Sequence, residues 1–297
     1  MKIKSNEEKT MQIVAHIVMV ILSVLAVVPF LLLISASFTK ESVAVKYGYK
    51  FIPSVFSLDA YEYIFKQWEQ ISRAYGITIL VTAVGTVIMV MITSMFAYGL
   101  IQRNVRGIKV IFILVIVTML FNGGVVPTYY IYNNIFHLKD TIWGLIIPNL
   151  LMNAFTLILV KSYMQFNIPP ELLEAAEIDG AGQFTIFFKM VFPLSAPIVA
   201  TIGLLGGVAY WNDWINGLYY IQDSKLFSIQ QLLNAINNNI QFLANNATNM
   251  SGNSAMNLPS ATIRMAIAVV AILPIIIIYP FFHKYFAKGL TMGSVKG

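Results

Sequence analysis

Six long apolar runs dominate this sequence and constrain what it can fold into. Each run is long enough to cross a hydrocarbon core of about 30 Å as a helix that rises about 1.5 Å per residue. We therefore predict an all-α membrane protein with a single transmembrane domain over residues 1–297. The predicted spans are, in chain order, residues 12–37, 75–100, 110–126, 141–163, 195–221 and 261–286.

The composition agrees with a membrane protein and excludes several kinds of site. Charged residues make up 11% of the chain, whereas a soluble domain has roughly 25%. The sequence contains no cysteine, which excludes disulfides and thiolate metal ligands. The net charge of +6 does not indicate nucleic-acid binding, because the basic residues lie beside the apolar runs. The first run is too long for the hydrophobic region of a signal peptide, so we predict a retained span.

The distribution of basic residues predicts the orientation of the chain in the membrane. If the N-terminus lies inside, 11 basic residues fall on the inner side and 8 on the outer side. The tight turn with Arg103, Arg106 and Lys109 is the strongest indication, because the positive-inside rule rests mainly on short loops. We therefore predict that both termini, and a polar loop at residues 165–193, face the cytoplasm.

That polar loop has the pattern of a helix, a turn and a second short helix. Pro170 suits the first turn of a helix. Glu171, Glu174 and Glu177 follow at a spacing of three, near the positive end of the helix dipole. Gly180 is expected to end the helix, because glycine adopts the left-handed conformation without a Cβ clash. From these residues alone, a docking element and an ordinary amphipathic surface loop are equally good interpretations.

The same loop resembles the EAA loop of ABC-importer permeases, which is written E-A-A, three residues, G, nine residues, I-x-L-P. Glu174-Ala175-Ala176 is followed at that spacing by Gly180 and then by Met190-Val191-Phe192-Pro193. Met190 and Phe192 replace the usual Ile and Leu, and both keep a large apolar side chain. The resemblance implies that the following residues couple the chain to an ATPase: Glu171, Glu174, Ala175, Ala176, Asp179, Gly180, Phe184 and Pro193.

With six spans in the corresponding places, the resemblance extends over the whole chain. It implies the MetI-like fold of type I ABC importers, with a cytoplasmic coupling (EAA) helix. It also implies that this chain is one half of a heterodimeric pore in a bacterial cell membrane, completed by a second homologous permease. Two cytoplasmic ATPases would hold ATP and Mg²⁺, and an external solute-binding protein would deliver substrate. This chain would then be a non-catalytic subunit with no cofactor of its own.

A polar and aromatic segment lies in the outer half of the fifth predicted span, at Tyr210, Trp211, Asn212, Asp213 and Trp214. A charge in lipid costs about 2.5–3.5 kcal/mol on insertion scales, so Asp213 marks a candidate functional site. Aromatic rings beside amide and carboxylate groups suit sugar binding. The alternative is an interfacial aromatic belt with one snorkelled acid. The segment also resembles the W-N-[DE]-W sequence of sugar-importer permeases, and the five residues are our candidates for lining the pathway.

The C-terminal sequence from Lys288 to Gly297 is basic and rich in glycine, which by itself indicates a flexible end. It resembles the K-G-x-x-x-G-[AS]-V-K-G terminus of maltose-type (MalG-like) permeases in the LplC/YtcP-like branch. In that family the tail reaches towards the ATPase pair. The resemblance therefore implies ATPase contacts for Lys288, Gly293 and Lys296.

Two other patterns predict packing rather than chemistry. Gly203 and Gly207 are four residues apart in the fifth predicted span, a spacing that favours close approach of helices. In the polar loop that follows, apolar residues recur with helical periodicity, which predicts a helix over about residues 229–240.

No catalytic pattern accompanies these features, because the sequence has no GxxxxGK[ST] motif and no His/Asp/Glu cluster with metal-ligand spacing. The resemblance implies an importer for carbohydrate, specifically an oligosaccharide. Three alternatives stay open: an ABC permease for a non-sugar solute, a stand-alone secondary transporter, and a membrane scaffold without transport. A secondary transporter is expected to carry intramembrane charge pairs or repeat-related broken helices. The sequence offers no evident partner for Asp213 and no internal repeat.

Overall fold

The structure is a computed structural model that describes residues 6–102, 105–121, 123–246, 261–274 and 276–277. Over those ranges the chain is helical, and its one β-pairing is an isolated antiparallel bridge between Thr39 and Phe56. This agrees with the predicted all-α class. The chain divides into two compact units. In the described ranges, the first holds residues 6–68, 235–246 and 261–274, and the second holds most of residues 69–234 with residues 276–277.

The helices vary in length from one turn to more than 30 residues. In chain order they are α1 (Asn6–Ser37), α2 (Glu41–Tyr47), α3 (Asp59–Lys66), α4 (Trp68–Ile101), α5 (Ile108–Leu120), α6 (Val125–Tyr130), α7 (Trp143–Ile146), α8 (Ala154–Asn167), α9 (Pro170–Ile178), α10 (Gln183–Ile186), α11 (Phe192–Leu194), α12 (Ala196–Trp211), α13 (Ile215–Tyr220), α14 (Ile229–Asn246) and α15 (Ala261–Pro274). A π-helical segment, Phe187–Val191, joins α10 to α11, and another, Ile131–Ile135, follows α6.

In the first unit, one carboxylate caps the helix that begins the last predicted span. Glu41 accepts hydrogen bonds from the backbone N–H groups of Ala261 and Thr262 at 2.9 and 2.8 Å, and from the Thr262 hydroxyl at 2.7 Å. The first N–H groups of a helix lack intrahelical partners, so a carboxylate at this position stabilises the start of α15.

Among the described residues, two helices are long and apolar enough to cross a membrane: Lys9–Ser37 within α1, and α4. They coincide with the first and second predicted spans. Two bent helix pairs also qualify, if each pair counts as one span. One pair joins α5 to Val125–Ile135 with a bend of 117°, and the other joins Gln183–Leu194 to α12 with a bend of 81°.

The third and fourth predicted spans are interrupted. Helix α5 stops at Leu120, six residues before the predicted end, and Gly124 has a positive φ of 85° just before α6. In the fourth predicted span, α7 ends at Ile146 and α8 begins only at Ala154. Pro148 cannot donate a backbone hydrogen bond and Asn149 has a φ of 61°, so the helix cannot continue through them.

The fifth predicted span is also divided, and the sixth lies partly outside the described residues. Residues 212–214, which include the polar pair Asn212 and Asp213, separate α12 from α13. The sixth predicted span, residues 261–286, is described as helix from Ala261 to Pro274 and at residues 276–277. The predicted helix at residues 229–240 is confirmed, and it extends to Asn246.

Helices α4 and α12 pack closely at glycine positions in the second unit. A Cβ at Gly85 would lie 2.6 Å from the Tyr210 ring, and one at Gly206 would overlap the terminal methyl group of Met89 on α4. The predicted pair, Gly203 and Gly207, also faces α4, but an added Cβ would make ordinary contacts of 3.7 and 3.6 Å. The closest approach therefore occurs at Gly85 and Gly206 and not at the predicted pair.

Candidate functional site

The first arm of the polar loop is helix α9, which begins with Pro170 in its first turn, as the sequence predicts. Of the residues in this arm, Ala176 is buried, with 8% of its surface exposed. Ala175 and three acidic residues are exposed: Glu171, Glu174 and Asp179. The arm therefore packs through one small side chain and presents its carboxylates outwards.

Gly180 makes the turn after α9 in the left-handed conformation, with a φ of 80°. The Ala181 N–H donates to the Ala176 carbonyl at 3.0 Å, and the Gly180 N–H donates to the Glu177 carbonyl at 3.0 Å. These two bonds form a Schellman motif, which satisfies the free carbonyls at a helix end. A Cβ at Gly180 would meet nothing within 4 Å, so glycine is needed here for its backbone conformation and not for space.

The second arm runs without a break from Gln183 to Leu194 through α10, the π-helical segment and α11. Its inner face is fully buried at Ile186, Phe187 and Val191, whose exposed fractions are 0–2%. The chain then bends by 81° at the buried residue Ser195 and enters α12. The inner face anchors this arm in the core of the second unit, and we call the two arms and their turn, residues 170–194, the hairpin.

The outer surface of the hairpin combines exposed carboxylates with exposed apolar side chains. Ile178 is 86% exposed, Phe184 is 68% exposed and Phe188 is 48% exposed. Pro193 is also exposed. Large apolar groups beside charged groups at this level of exposure are typical of a surface that binds another protein.

A chain of polar side chains braces the hairpin internally and ties it to α4. The Gln183 amide donates from Nε2 to Glu177 Oε1 at 2.7 Å, which joins the two arms. The Tyr98 hydroxyl, at the end of α4, donates to Gln183 Oε1 at 2.6 Å. Gln102 reaches the same oxygen at 3.4 Å, which is a weak contact. Neither Tyr98 nor Gln183 is predicted from the sequence, because the two residues lie 85 positions apart.

A groove of about 400 Å³ lies between the hairpin and the ends of α4 and α8. Leu173 and two carboxylates, Glu174 and Glu177, form its wall on the hairpin side. Lys161 lines the opposite wall, where its ammonium donates to Gln165 Oε1 at 3.0 Å and lies 4.6 Å from the centre of the Phe112 ring.

The candidate pathway residues do not share one environment. Tyr210 and Trp211 are buried, with 3% and 6% of their surfaces exposed, and the Trp211 ring lies 6.4 Å from the Tyr75 ring. Trp214 is 43% exposed, and Asn212 is exposed too. Burial inside the chain limits a lining role for Tyr210 and Trp211, whereas Asn212, Asp213 and Trp214 stay the candidates that can face a pathway.

Tyr210 instead satisfies a backbone carbonyl that is left free where the helix is interrupted between α7 and α8. Its hydroxyl donates to the Ile146 carbonyl at 2.9 Å, and the Asn216 side-chain amide donates to the Pro148 carbonyl at 2.9 Å. A carbonyl freed by a helix break is costly in an apolar environment unless it finds a donor. Asn216 was missed from the sequence, although a polar residue within an apolar run was the available signal.

Asp213 acts as a local helix cap. Its Oδ1 accepts from the backbone N–H groups of Ile215 and Asn216 at 3.1 and 3.2 Å, which satisfies the first free donors of α13. The Asp213 carboxylate is therefore hydrogen-bonded to the chain's own backbone.

A second carboxylate, Asp140, holds the loop before α7 against the end of α13. Its Oδ1 accepts from the Gln222 and Asp223 N–H groups at 2.6 and 2.9 Å, and its own N–H donates to the Tyr220 carbonyl at 2.8 Å. The Asp223 and Gln222 N–H groups hold the pKa of the Asp140 carboxyl below its ordinary value, with a smaller contribution from Lys139.

Other predicted site residues lie outside the described part of the chain: Lys288, Gly293 and Lys296. Within the described residues, no group of three His, Asp or Glu side chains could hold a metal ion. The candidate site therefore consists of a hairpin with an exposed outer surface and of two helix breaks whose free backbone groups are hydrogen-bonded.

Comparison with known proteins agrees with this arrangement. Residues 99–292 match the family model described as binding-protein-dependent transport system inner membrane component. The chain is 41% identical to the polygalacturonan/rhamnogalacturonan transport system permease protein YtcP of Bacillus subtilis, over 93% of this chain and 94% of YtcP. It is 38% identical to Protein LplC of the same organism, over 92% of this chain and 90% of LplC.

A solved structure matches as well. The crystal structure of a bacterial ABC transporter involved in the import of the acidic polysaccharide alginate aligns with a TM-score of 0.78 and 27% identity. The alignment covers 96% of this chain and all of that chain. This protein thus belongs to the family of inner membrane components of binding-protein-dependent transport systems, and it is an ABC importer permease.

Proposed function

We propose that this chain is the permease subunit of an ATP-driven importer for carbohydrate and that its substrate is an oligosaccharide. Its relative YtcP belongs to a transport system for polygalacturonan/rhamnogalacturonan, and the solved neighbour takes part in alginate import. Both names point to polysaccharides that carry carboxylates, so acidic oligosaccharides are the first substrates to test. The alternative is a permease for a non-sugar solute, which the same assay distinguishes by the ligand of the delivery protein.

The observation that carries the proposal is the outer surface of the hairpin. This surface carries exposed carboxylates and the exposed apolar side chains of Ile178, Phe184 and Phe188, while the inner face of the second arm is buried in the core. We assign this surface to a groove on a cytoplasmic ATPase, with residues 171–188 as the coupling element. ATP-driven closure of two ATPases would push two such hairpins together and move the helices from an inward-open to an outward-open arrangement.

The assembly that follows has four kinds of partner. A second homologous permease would complete the pore as a heterodimer, two ATPases would hold ATP and Mg²⁺, and an external solute-binding protein would deliver the substrate. This chain would carry six spans in one domain, with both termini and the hairpin in the cytoplasm. The tail residues Lys288, Gly293 and Lys296 would contact the ATPase pair. In the outer half, Asn212, Asp213 and Trp214 would line the pathway.

The orientation of the hairpin tests the proposal directly. Because the chain contains no cysteine, Thr185→Cys provides a single thiol on the exposed side of α10. We expect a membrane-impermeant maleimide to label it only after the cytoplasmic side is opened. Ser224→Cys, at an exposed position beyond α13, is the matched control that should be labelled from outside.

The second measurement is the composition and activity of the intact complex. We expect two ATPase subunits and a second permease to co-purify, and reconstituted vesicles to import an oligosaccharide only with ATP and the binding protein. Labelling of Thr185→Cys from outside, or uptake by the isolated chain without ATP, contradicts the proposal.

A further inference from the structure

The Gln183 amide carries the hydrogen-bonded connection between the hairpin and the Tyr98 hydroxyl of α4. The Glu177 carboxylate accepts from Gln183, so the atom of Gln183 that faces it is the Nε2 donor. The Oε1 atom must then face Tyr98, and the Tyr98 hydroxyl must be the donor. The chemistry of Glu177 therefore fixes the direction of every hydrogen bond in this link.

This link joins three helices at one point. Glu177 belongs to α9, Gln183 opens α10, and Tyr98 lies one turn before the end of α4. The Phe187 ring lies 5.6 Å from the Tyr98 ring, so the hydrogen bond is supported by an aromatic contact from the same arm. Movement of the hairpin must therefore carry the end of α4 with it or break the Tyr98–Gln183 bond.

Breaking that bond is unfavourable where it stands. Tyr98 is 7% exposed, so water cannot readily replace Gln183 as the partner of its hydroxyl. The bond at 2.6 Å is short, and the Schellman turn keeps Gln183 at a fixed distance from Glu177. A short bond from a buried residue of α4 to the start of the second arm suits transmission of a displacement.

We propose that Tyr98 and Gln183 are positioning residues that transmit movement of the hairpin to helix α4 during transport. The inference rests on the proposed function, because it assumes that an ATPase moves the hairpin. It adds a second step to docking: the outer surface of the hairpin receives the force, and the Gln183 link passes it to the first long helix of the second unit.

Tyr98→Phe is the decisive variant, because it removes the hydroxyl and keeps the ring against Phe187. We expect ATPase co-purification to match the wild type and the unfolding temperature to fall only slightly, whereas substrate imported per ATP hydrolysed falls about fivefold, the factor expected for one ordinary hydrogen bond. Tyr163→Phe is the matched control: Tyr163 is half-buried on α8, and its hydroxyl makes no hydrogen bond to another described residue. The control should keep the wild-type ratio.

A reciprocal exchange tests whether the hydrogen-bond chain itself, and not the identity of either side chain, is needed for coupling. Gln183→Glu alone places two carboxylates where Gln183 and Glu177 are now 2.7 Å apart, and we expect the same loss of coupling. In the double variant Glu177→Gln/Gln183→Glu, the amide at position 177 can donate to the carboxylate at position 183, which can also accept from Tyr98. We expect this double variant to recover most of the wild-type ratio at unchanged net charge.

The outcomes separate this inference from the proposed function. A wild-type coupling ratio in Tyr98→Phe, or a double variant no better than Gln183→Glu, overturns the inference alone. Loss of ATPase co-purification in Tyr98→Phe also overturns it, because the link would then support docking rather than transmission. A wild-type complex that contains no ATPase overturns the proposed function and this inference together.

Discussion

The hairpin and the two helix breaks, at residues 147–153 and 212–214, interrupt helical segments for different reasons. The hairpin turns because of residues next to one another, and Gly180 closes it with two backbone hydrogen bonds to α9. The break at residues 147–153 persists because distant side chains compensate it: Tyr210 and Asn216 donate to carbonyls 64 and 68 positions away. The break at residues 212–214 is stabilised nearby, by the cap that Asp213 makes on α13. A turn made by neighbouring residues can be predicted from the sequence and is lost when one residue is changed. A helix break that is stabilised by distant side chains depends on several residues.

The largest effect is expected at the hairpin turn. Gly180→Pro cannot adopt a φ of 80°, because the proline ring fixes φ near −65°, and it also removes the N–H that donates to Glu177. The second arm must then leave its position relative to α9. We expect ATP-dependent uptake to fall to background while α4 and α12 stay folded, as measured by uptake in vesicles and by thermal unfolding.

Two matched variants sharpen this result. Gly180→Ala keeps the N–H and pays about 1–2 kcal/mol for a left-handed residue with a Cβ, so partial uptake is expected. Gly182→Ala is the control, because Gly182 has a φ of −69° and open space around a Cβ. Equal uptake by Gly180→Pro and Gly182→Ala would show that the turn geometry is not required.

The same difference explains what the sequence could predict. Pro170 and Gly180 are strong local signals, and both ends of α9 lie where they indicate. Hydropathy located the apolar runs but could not divide them. A single polar residue such as Asn149 or Asp213 changes the mean hydropathy of a long run very little, and its left-handed conformation or capping bond is not visible in hydropathy. The Tyr98–Gln183 link depends on packing between segments 85 positions apart, which a single sequence does not specify.

A smaller effect is expected at the second break. Asp213→Ala removes the acceptor for the Ile215 and Asn216 N–H groups and should destabilise α13 by about 0.5–2 kcal/mol, as for loss of a helix cap. Asp213→Asn keeps a side-chain oxygen at the same place, so its unfolding temperature should stay near that of the wild type.

Comparison of the two Asp213 variants also separates a cap from a pathway residue. If Asp213→Asn keeps both stability and uptake, Asp213 acts only as a cap. If Asp213→Asn is stable and loses uptake, the negative charge itself is needed by the substrate or the pathway. An Asp213→Ala protein as stable as the wild type would contradict the capping role of Asp213. The break at residues 212–214 would then not depend on this side chain.

The smallest effect is expected at Asp140. Its carboxylate also joins distant parts of the chain, since it accepts from Gln222 and Asp223, but it is exposed to solvent. Its pKa lies below the ordinary value of 3.8, so the charged form is the one that folding favours. The resulting stability is fully present above pH 3.8 and is lost as the pH falls through the lower pKa of the folded state. Because the group is exposed, we expect a contribution of only about 0.5 kcal/mol, weakened further by salt.

Asp140→Asn isolates that charge, because asparagine tolerates the φ of 53° and retains an oxygen that can accept from Gln222 and Asp223. The wild type should unfold at a slightly higher temperature than Asp140→Asn at pH 7 in low salt, and the difference should shrink as the pH falls below 3.8. Other carboxylates titrate equally in both proteins and cancel in the difference. A difference that does not change as the pH falls would mean that hydrogen-bond geometry, and not charge, stabilises this connection, which would place Asp140 with the neutral donors Tyr210 and Asn216.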